Sequence, residues 1–275
     1  MSESCNGHCS SCASAGSCSQ KPAATRQGVK RIIAVGSGKG GVGKSTVTAL
    51  LAVALNRAGY KVGILDADVT GPSIPKLLGV NAVPWIGENK KIQIPVSASG
   101  IKVLSVNLML DDANAPVVWR GPLIGGVIKQ FWEEGDWNGL DFALIDLPPG
   151  TADAPLTVMQ LIAVDGMLAV TTPQGLSAMI VQKQLRLCEM LHIPLLGLAE
   201  NMSYAVCPHC KEKWELFGVS HSAEIENAFG VQTLARIPID RELAELGDSG
   251  RLEEYQNKEL LDELAAAALS AGTER

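Results

Sequence analysis

A glycine-rich stretch constrains the fold of this chain more than any other feature. Residues 36–46 have the sequence Gly-Ser-Gly-Lys-Gly-Gly-Val-Gly-Lys-Ser-Thr. Four of these residues fit the phosphate-loop pattern G-x-x-x-x-G-K-[ST], namely Gly38, Gly43, Lys44 and Ser45. Glycines in such a loop allow successive backbone N–H groups to turn inward and surround phosphate oxygens. The sequence therefore predicts a nucleotide-binding loop.

The segments that flank the loop favour the same structure. Arg31 to Val35 is a run typical of a buried strand, and Ser45 to Ala58 has a helical pattern that ends at Gly59. A phosphate at the N-terminus of that helix would meet the positive end of the helix dipole. A chance glycine-rich turn is the alternative, and the consecutive strand, loop and helix argue against it.

Several loop residues have expected roles. We expect Lys44 to reach the β- and γ-phosphates of the nucleotide and the Ser45 hydroxyl to ligate Mg²⁺. The residues expected to contact the nucleotide are Gly36, Ser37, Gly38, Lys39, Gly40, Gly41, Val42, Gly43, Lys44, Ser45 and Thr46. Lys39 is an additional lysine inside the loop, and chemistry alone does not distinguish a functional lysine there from a solvated one.

Composition narrows the class of protein. The 275 residues are 47% hydrophobic but only 4% aromatic, which indicates an aliphatic core of the kind found in a parallel sheet covered by helices. The net charge of −6 argues against broad binding to nucleic acid or to an anionic membrane. No apolar run approaches the roughly 18 residues of a membrane span, and no signal segment opens the chain. We therefore expect a cytoplasmic protein.

Strand-like and helix-like segments alternate along the chain, which predicts an α/β fold with a mostly parallel sheet flanked by helices. The further predicted strands are residues 62–65, 142–145, 167–170, 195–199 and 233–237. The further predicted helices are residues 122–134, 177–191 and 222–229 and two at the C-terminus. Residues 82–106 are predicted to form a peripheral hairpin. The expected domains are a flexible, Cys-rich tail at 1–28 and an ATPase domain at 29–275.

Three carboxylates follow predicted strands. Asp66 and Asp68 close the second strand, and Asp146 closes the third after an apolar run, as a Walker-B aspartate does. Such an aspartate holds Mg²⁺, usually through a water ligand of the metal. A single Asp after a strand is often only a turn former. Three such residues at the ends of consecutive strands, after a phosphate loop, favour a nucleotide site.

Cys207 and Cys210 form a Cys-x-x-Cys pair, and thiolates are soft ligands suited to zinc or to iron–sulfur clusters. One pair is half a site, because tetrahedral zinc and [4Fe–4S] clusters normally take four protein ligands. Two pairs meeting across a two-fold axis would complete it, which predicts a homodimer with a bridging cluster. Half of a zinc ribbon, a redox dithiol and an unrelated turn are the alternatives.

Five other cysteines are present. Cys5, Cys9, Cys12 and Cys18 lie in the tail and are numerous enough for a second cluster within one subunit. A redox-sensitive tail without a fixed metal is the alternative. The first three also match the radical-SAM spacing, but that motif belongs in a barrel loop and not in a tail that precedes the fold. Cys188 lies in a predicted helix, where a small buried hydrophobe is expected.

The loop around Lys39 resembles the deviant Walker-A loop of the MinD-type NTPases. Further motifs resemble those of the Mrp/ApbC iron–sulfur cluster carrier ATPases: Asp66-Ala-Asp-Val-Thr-Gly-Pro-Ser, Trp119-Arg-Gly-Pro, Asp146-Leu-Pro-Pro-Gly-Thr-Ala-Asp, Thr172-Pro-Gln, Glu200-Asn-Met-Ser and Cys207-Pro-His-Cys. The resemblance covers about residues 30–239. The tail resembles that of the eukaryotic cytosolic scaffold members, whose C-x2-C-x5-C spacing Cys9, Cys12 and Cys18 match. Cys5 lies closer than that pattern expects, and His8 or an external ligand could replace it.

The resemblance implies roles for individual residues. Lys39 would reach the nucleotide phosphates of the partner subunit in a homodimer, as an arginine finger does elsewhere. Asp68 would orient or activate the attacking water, with Asp66 and Asp146 near the metal. Asn201 would recognise the purine edge.

The resemblance also implies an activity: ATP hydrolysis coupled to carrying a labile [4Fe–4S] cluster on Cys207 and Cys210, with a second [4Fe–4S] cluster in the tail. The implied partners are apo iron–sulfur proteins and cluster-assembly factors. A MinD-type or partition-type spatial regulator and a zinc-stabilised ATPase without a cluster are the alternatives. A nitrogenase-iron-protein-like reductase ranks low, because its second cysteine has no counterpart between Cys18 and Cys188.

Overall fold

The computed structural model describes residues 25–69, 71, 73–109, 121–150 and 153–270. The predictions for the four tail cysteines and for Trp119 lie outside these residues.

The described chain is built around seven parallel strands. They are β1 (Arg31–Ser37), β2 (Val62–Asp66), β5 (Lys102–Ser105), β6 (Phe142–Asp146), β7 (Gly166–Thr171), β8 (Leu195–Glu200) and β11 (Thr233–Arg236). Their order across the sheet is β11-β8-β7-β1-β6-β2-β5. All neighbouring pairs are parallel. The predicted parallel sheet is therefore confirmed, with the strand before the glycine-rich loop at its centre.

Eight α-helices and two small hairpins complete the described residues. The helices are α1 (Lys44–Arg57), α2 (Ile74–Leu77), α3 (Gly121–Glu134), α4 (Asp153–Leu161), α5 (Gly175–Met190), α6 (Ser222–Phe229), α7 (Arg241–Asp248) and α8 (Lys258–Ser270). Short 3-10 turns occupy Val106–Met109 and Leu252–Glu254. The hairpins pair β3 (Trp85–Ile86) with β4 (Ile92–Gln93), and β9 (Ala205–Val206) with β10 (Lys213–Trp214).

Alternation of side chains along the central strand builds two apolar layers. Ile33 and Val35 point to one face of the sheet, where they join a cluster formed mainly by α1 and α8. Ile32 and Ala34 point to the other face, where they join residues of α3 and α5. Because a strand is buried on both faces only when helices cover both, the long apolar runs in the sequence follow from this three-layer arrangement.

Residues 82–106 were expected to form one peripheral hairpin, and this prediction is wrong in its second half. Only Trp85–Gln93 forms the hairpin, whereas Lys102–Ser105 is the edge strand β5 of the main sheet and pairs with β2. Val103 and Leu104 are fully buried there. Helix α4 and the β9–β10 hairpin were not predicted.

Because the strands are parallel, their carboxyl ends share one edge of the sheet. Ser37, Asp66, Asp146, Thr171 and Glu200 all end strands at that edge. The chain enters the domain at the opposite edge of the sheet, where Thr25 forms a parallel β-bridge to Ile162. The Thr25 carbonyl also accepts a hydrogen bond from Trp132 Nε1 at 2.9 Å.

Asp165 ties this entry segment to the sheet. Its carboxylate accepts two hydrogen bonds from the Arg26 guanidinium, both at 2.7 Å, and one from the Ile32 backbone N–H at 2.8 Å. Burial opposes ionisation of this carboxyl, but the Arg26 and Ile32 donors outweigh it and lower the pKa of Asp165 below its ordinary value.

We expect Asp165→Asn to lower the free energy of unfolding at pH 7 by about 1–2 kcal/mol, because the half-exposed ion pair and a charge-assisted backbone bond are lost. The native state favours the ionised carboxyl, so its contribution is complete above the ordinary carboxyl pKa of about 4 and disappears as pH falls through the lower native value. Urea unfolding between pH 7 and pH 3 should show the difference between the two proteins shrinking. A difference that stays constant over this range contradicts the assignment.

Candidate functional site

The phosphate loop runs from the end of β1 to the start of α1. Gly41 and Gly43 lie in the left-handed region at φ 79° and 78°, which side chains other than glycine rarely adopt. A Cβ built on Gly40 or Gly41 would have no atom within 4 Å, so the loop has open space above it. This open, glycine-rich loop next to a helix N-terminus fits phosphate oxygens.

Two other glycines of the loop allow close packing beneath it. A Cβ on Gly38 would lie 2.6 Å from the carbonyl carbon of Ile180, in α5. A Cβ on Gly43 would lie 2.1 Å from Asn201 Nδ2. The loop is therefore in direct contact with helix α5 and with the residue that follows β8.

A buried cluster of charged and hydroxyl groups lies at the base of the loop. Lys44 is 6% exposed, and its Nζ lies 2.7 Å from Asp146 Oδ2 and 4.0 Å from Asp68 Oδ2. The Ser45 hydroxyl donates to Asp146 Oδ2 at 2.6 Å, and the Thr48 hydroxyl donates to Asp146 Oδ1 at 2.7 Å. The fully buried Asp146 carboxylate thus has partners on both oxygens. The structure brings together the lysine, serine and aspartates that the sequence singled out.

Asp66 is the third carboxylate of this cluster. Its Oδ2 accepts a hydrogen bond from Ser105 at 3.1 Å, and its Oδ1 accepts one from the Asp68 backbone N–H at 3.2 Å. Complete burial, followed by the negative charge of Asp146, raises the pKa of Asp66 to about 8, against the opposing effect of Lys44. Mg²⁺ is usually bound through one or two carboxylates together with waters and substrate phosphates. The Asp146 carboxylate and the Ser45 hydroxyl that contacts it supply oxygen donors of this type.

Lys39 contacts its own chain. Its Nζ donates to Gln174 Oε1 at 3.2 Å, and Gln174 is the residue that precedes α5. The role of Lys39 towards a partner subunit remains a prediction.

Asn201 supports the phosphate loop from below. Its side chain is 5% exposed, and Nδ2 donates to the Val42 carbonyl at 2.9 Å. Its backbone N–H donates to the Thr171 carbonyl at 2.9 Å. The predicted contact of Asn201 with a purine stays a prediction.

The Cys-x-x-Cys pair lies in the turn of the β9–β10 hairpin. Cys207 is half-buried and Cys210 is exposed. Backbone N–H groups of Cys210 and then His209, with the Cys210 thiol, point at Cys207 and lower the pKa of its thiol. Among the described residues, no group of three His, Cys, Asp or Glu side chains could hold a metal ion. The two thiols are therefore a donor pair whose composition suits a soft metal or a cluster.

Cys188 is fully buried in α5, as expected. Sequence reasoning assigned no role to Thr48, Ser105 and Gln174, which contact Asp146, Asp66 and Lys39. Thr48 had a signal in its spacing, because it stands four residues after Lys44 and therefore on the same face of the helix. Gln174 had one in the Thr172-Pro-Gln motif.

A protein-family model, described as NUBPL iron-transfer P-loop NTPase, matches residues 28–270. The chain belongs to this family. The match confirms the resemblance identified from the loop and strand-end motifs, and it identifies the chain as a P-loop NTPase.

Relatives of the family agree. A protein of Aquifex aeolicus named iron-sulfur cluster carrier protein is 47% identical over 234 residues, which are 84% of this chain. The chain spans just under two thirds of that relative, 64% of its length.

Solved structures agree as well. The nucleotide-binding protein of Archaeoglobus fulgidus, solved in complex with ADP, is 44% identical and superposes with a TM-score of 0.75. The alignment covers 84% of this chain and 90% of the chain of that protein. The cell division ATPase MinD of Pyrococcus furiosus is 24% identical, with a TM-score of 0.63. The alignment covers 88% of this chain and 99% of the MinD chain. MinD shares the fold, and the MinD-like architecture is thereby confirmed. No helix within the described ranges is long and apolar enough to cross a bilayer.

We expect Thr48→Val to reduce ATP hydrolysis by about tenfold or more, because Asp146 loses a donor that fixes its orientation. The free energy of unfolding should fall by about 1–3 kcal/mol, the cost of leaving a buried acceptor unpaired. Steady-state phosphate release and urea unfolding measure the two effects. Thr48→Ser keeps the hydroxyl and is the matched control. Equal activity of Thr48→Val and Thr48→Ser contradicts the assigned role.

Proposed function

We propose that this protein is an ATP-hydrolysing carrier that holds an iron–sulfur cluster on Cys207 and Cys210 and transfers it to apoproteins. The observation that carries this proposal is the pair of accessible thiols on a hairpin at the same sheet edge as the phosphate loop. The iron-transfer family and the relatives named as cluster carriers support it.

The nucleotide chemistry follows from the buried cluster. The loop amides and the Lys44 amine bind the phosphates, and the amine exchanges the Asp146 carboxylate for a phosphate oxygen. Ser45 and Asp146, with Asp66 near them, would hold Mg²⁺, which would neutralise charge on the phosphates. Asp68 lies within 4.0 Å of the Lys44 amine, a place from which it can orient the attacking water.

We propose that the active form is a homodimer. Two thiols supply half of the four protein ligands that a [4Fe–4S] cluster takes, so two copies of the hairpin complete one site. Leu176 and Met179, on the first turn of α5 beside Gln174, are 59% and 52% exposed. An apolar surface next to Lys39 suits a second copy, across which Lys39 would contact the nucleotide of the partner subunit.

Further assignments belong to the same proposal. The tail, residues 1–28, binds a second [4Fe–4S] cluster through Cys9, Cys12 and Cys18, with Cys5, His8 or an external ligand completing the site. Residues 29–275 form the ATPase domain, and Asn201 recognises the purine. Apo iron–sulfur proteins and cluster-assembly factors are the partners.

The cluster assignment predicts a defined loss of iron. Protein purified anaerobically should lose about four iron and four sulfide ions per dimer when Cys207 is replaced by Ala, because the bridging site loses half its ligands. Cys188→Ala is the matched control, since that thiol is buried in the core. Iron, sulfide and zinc analysis measures the result.

Two outcomes contradict the assignment. Zinc in place of iron in the wild-type protein would identify a zinc-stabilised ATPase. An iron content that falls in Cys9→Ala but not in Cys207→Ala would show that iron is bound by the tail and not by a bridging site.

The dimer assignment predicts that Lys39→Ala lowers ATP hydrolysis by roughly a hundredfold or more, as loss of a charge supplied in trans does in other phosphoryl-transfer enzymes. Binding of a fluorescent nucleotide should change little, since Lys44 remains. Lys76→Ala, on the exposed face of α2, is the control. Wild-type turnover per subunit should rise with protein concentration. Turnover that is independent of concentration and of Lys39 would exclude the dimeric mechanism.

A further inference from the structure

Glu200 is a fully buried carboxylate that the nucleotide chemistry does not use. The Ser203 hydroxyl donates to its Oε1 at 2.6 Å, and the Ser220 hydroxyl donates to its Oε2. Ser203 precedes the cysteine hairpin and Ser220 follows it. One carboxylate at the end of β8 therefore holds both the incoming and the outgoing segment of the hairpin.

Glu200 is also connected to the phosphate loop. The next residue, Asn201, donates its side-chain amide to the Val42 carbonyl in that loop. The Glu200 carbonyl accepts a hydrogen bond from the Ile237 N–H at 2.9 Å, which fixes the end of β8 to the end of β11. A displacement of the loop at Val42 thus reaches Glu200 through one hydrogen bond and one peptide unit.

The segment after Ser220 has a second contact with the nucleotide site. A Cβ on Gly175, the first residue of α5, would lie 3.3 Å from His221 Nε2, so the imidazole lies directly against this helix start. The preceding residue, Gln174, accepts the hydrogen bond from Lys39. Residues 220–221 therefore lie against both elements that contact the phosphate loop from below.

Backbone hydrogen bonds also attach the base of the hairpin to the segment that follows β11. Beyond the Glu200 contacts, the Ser203 N–H donates to the Ile237 carbonyl at 2.9 Å and the Ile239 N–H donates to the Tyr204 carbonyl at 2.7 Å. Strands of two residues each hold the turn that carries the thiols. The position of the hairpin base therefore determines where the Cys207 and Cys210 sulfurs lie.

We propose that Glu200, with Ser203 and Ser220, is a positioning unit that transmits the nucleotide state of the phosphate loop to Cys207 and Cys210. The proposal rests on the proposed function. A buried carboxylate is costly to leave without donors, so both serines follow Glu200 when the end of β8 moves. The hairpin then moves as a unit with the nucleotide site.

The test measures coupling between the nucleotide site and the thiols in the reduced full chain, prepared without bound iron or zinc. Cys207 and Cys210 are alkylated with N-ethylmaleimide and quantified by peptide mass spectrometry, which separates them from the tail cysteines. Rates are compared with and without Mg²⁺ and a non-hydrolysable ATP analogue. We expect the nucleotide to change the wild-type rate by about fivefold or more, the lower range of typical coupling between sites.

Ser220→Ala should bring the ratio of the alkylation rates with and without nucleotide close to one. Nucleotide affinity should stay unchanged, because Ser220 does not contact the phosphate loop. Ser220→Thr keeps the hydroxyl and should restore the wild-type ratio. Ser249→Ala is the matched control, since that hydroxyl donates only to helix carbonyls of α7. A purely structural role for Ser220 would lower stability without changing the ratio.

Ser220→Ala with the wild-type ratio overturns the inference. Glu200→Gln keeps the size of the side chain but removes the charge to which both serines donate. Glu200→Gln must also bring the ratio of rates closer to one. A wild-type ratio in Glu200→Gln overturns the inference even where Ser220→Ala does not fold. A wild-type protein whose alkylation rates do not change with nucleotide also overturns the inference, whereas absence of iron and sulfide that depend on Cys207 would refute the proposed function. The two failures are therefore distinguishable.

Discussion

The buried ion pair between Lys44 and Asp146 is the interaction on which the rest of the site depends. It joins the first residue of α1 to the end of β6, across the boundary between two neighbouring strands. A buried charge without its partner is strongly destabilising, so the loop, the helix start and the strand end must form together. The same pair holds the lysine amine at the base of the phosphate loop. The ion pair between Lys44 and Asp146 therefore holds the parts of the site in their relative positions.

The sequence predicted those parts of the fold in which short apolar runs end at a distinctive residue. Asp66 and Asp146 marked two strand ends, and the glycine pattern marked the loop between β1 and α1. Strand β5 was missed because it has four residues and follows a segment with proline and glycine that also suits a hairpin. Helix α4 was missed because Pro155, near its start, suggests a turn as readily as a first helical turn.

The site was predictable where a motif names the side chain, and not where tertiary packing selects it. Glu200 and Ser220 are separated by 20 residues, and nothing local in either segment indicates that they meet. Gln174 likewise meets Lys39 only because α5 packs under the loop. Contacts that link separate segments are therefore visible only in the fold, whereas the residues of the phosphate loop are marked in the sequence.

The entry of the chain at Thr25 has a consequence for access to the cysteine hairpin. Thr25 joins the domain at the sheet edge opposite the phosphate loop, and the seven residues of β1 between the two edges span about 23 Å. A protein that docks against the Thr25 junction would leave the cysteine hairpin of the same subunit uncovered. The junction at Thr25 and the cysteine hairpin therefore offer separate surfaces at opposite ends of the sheet.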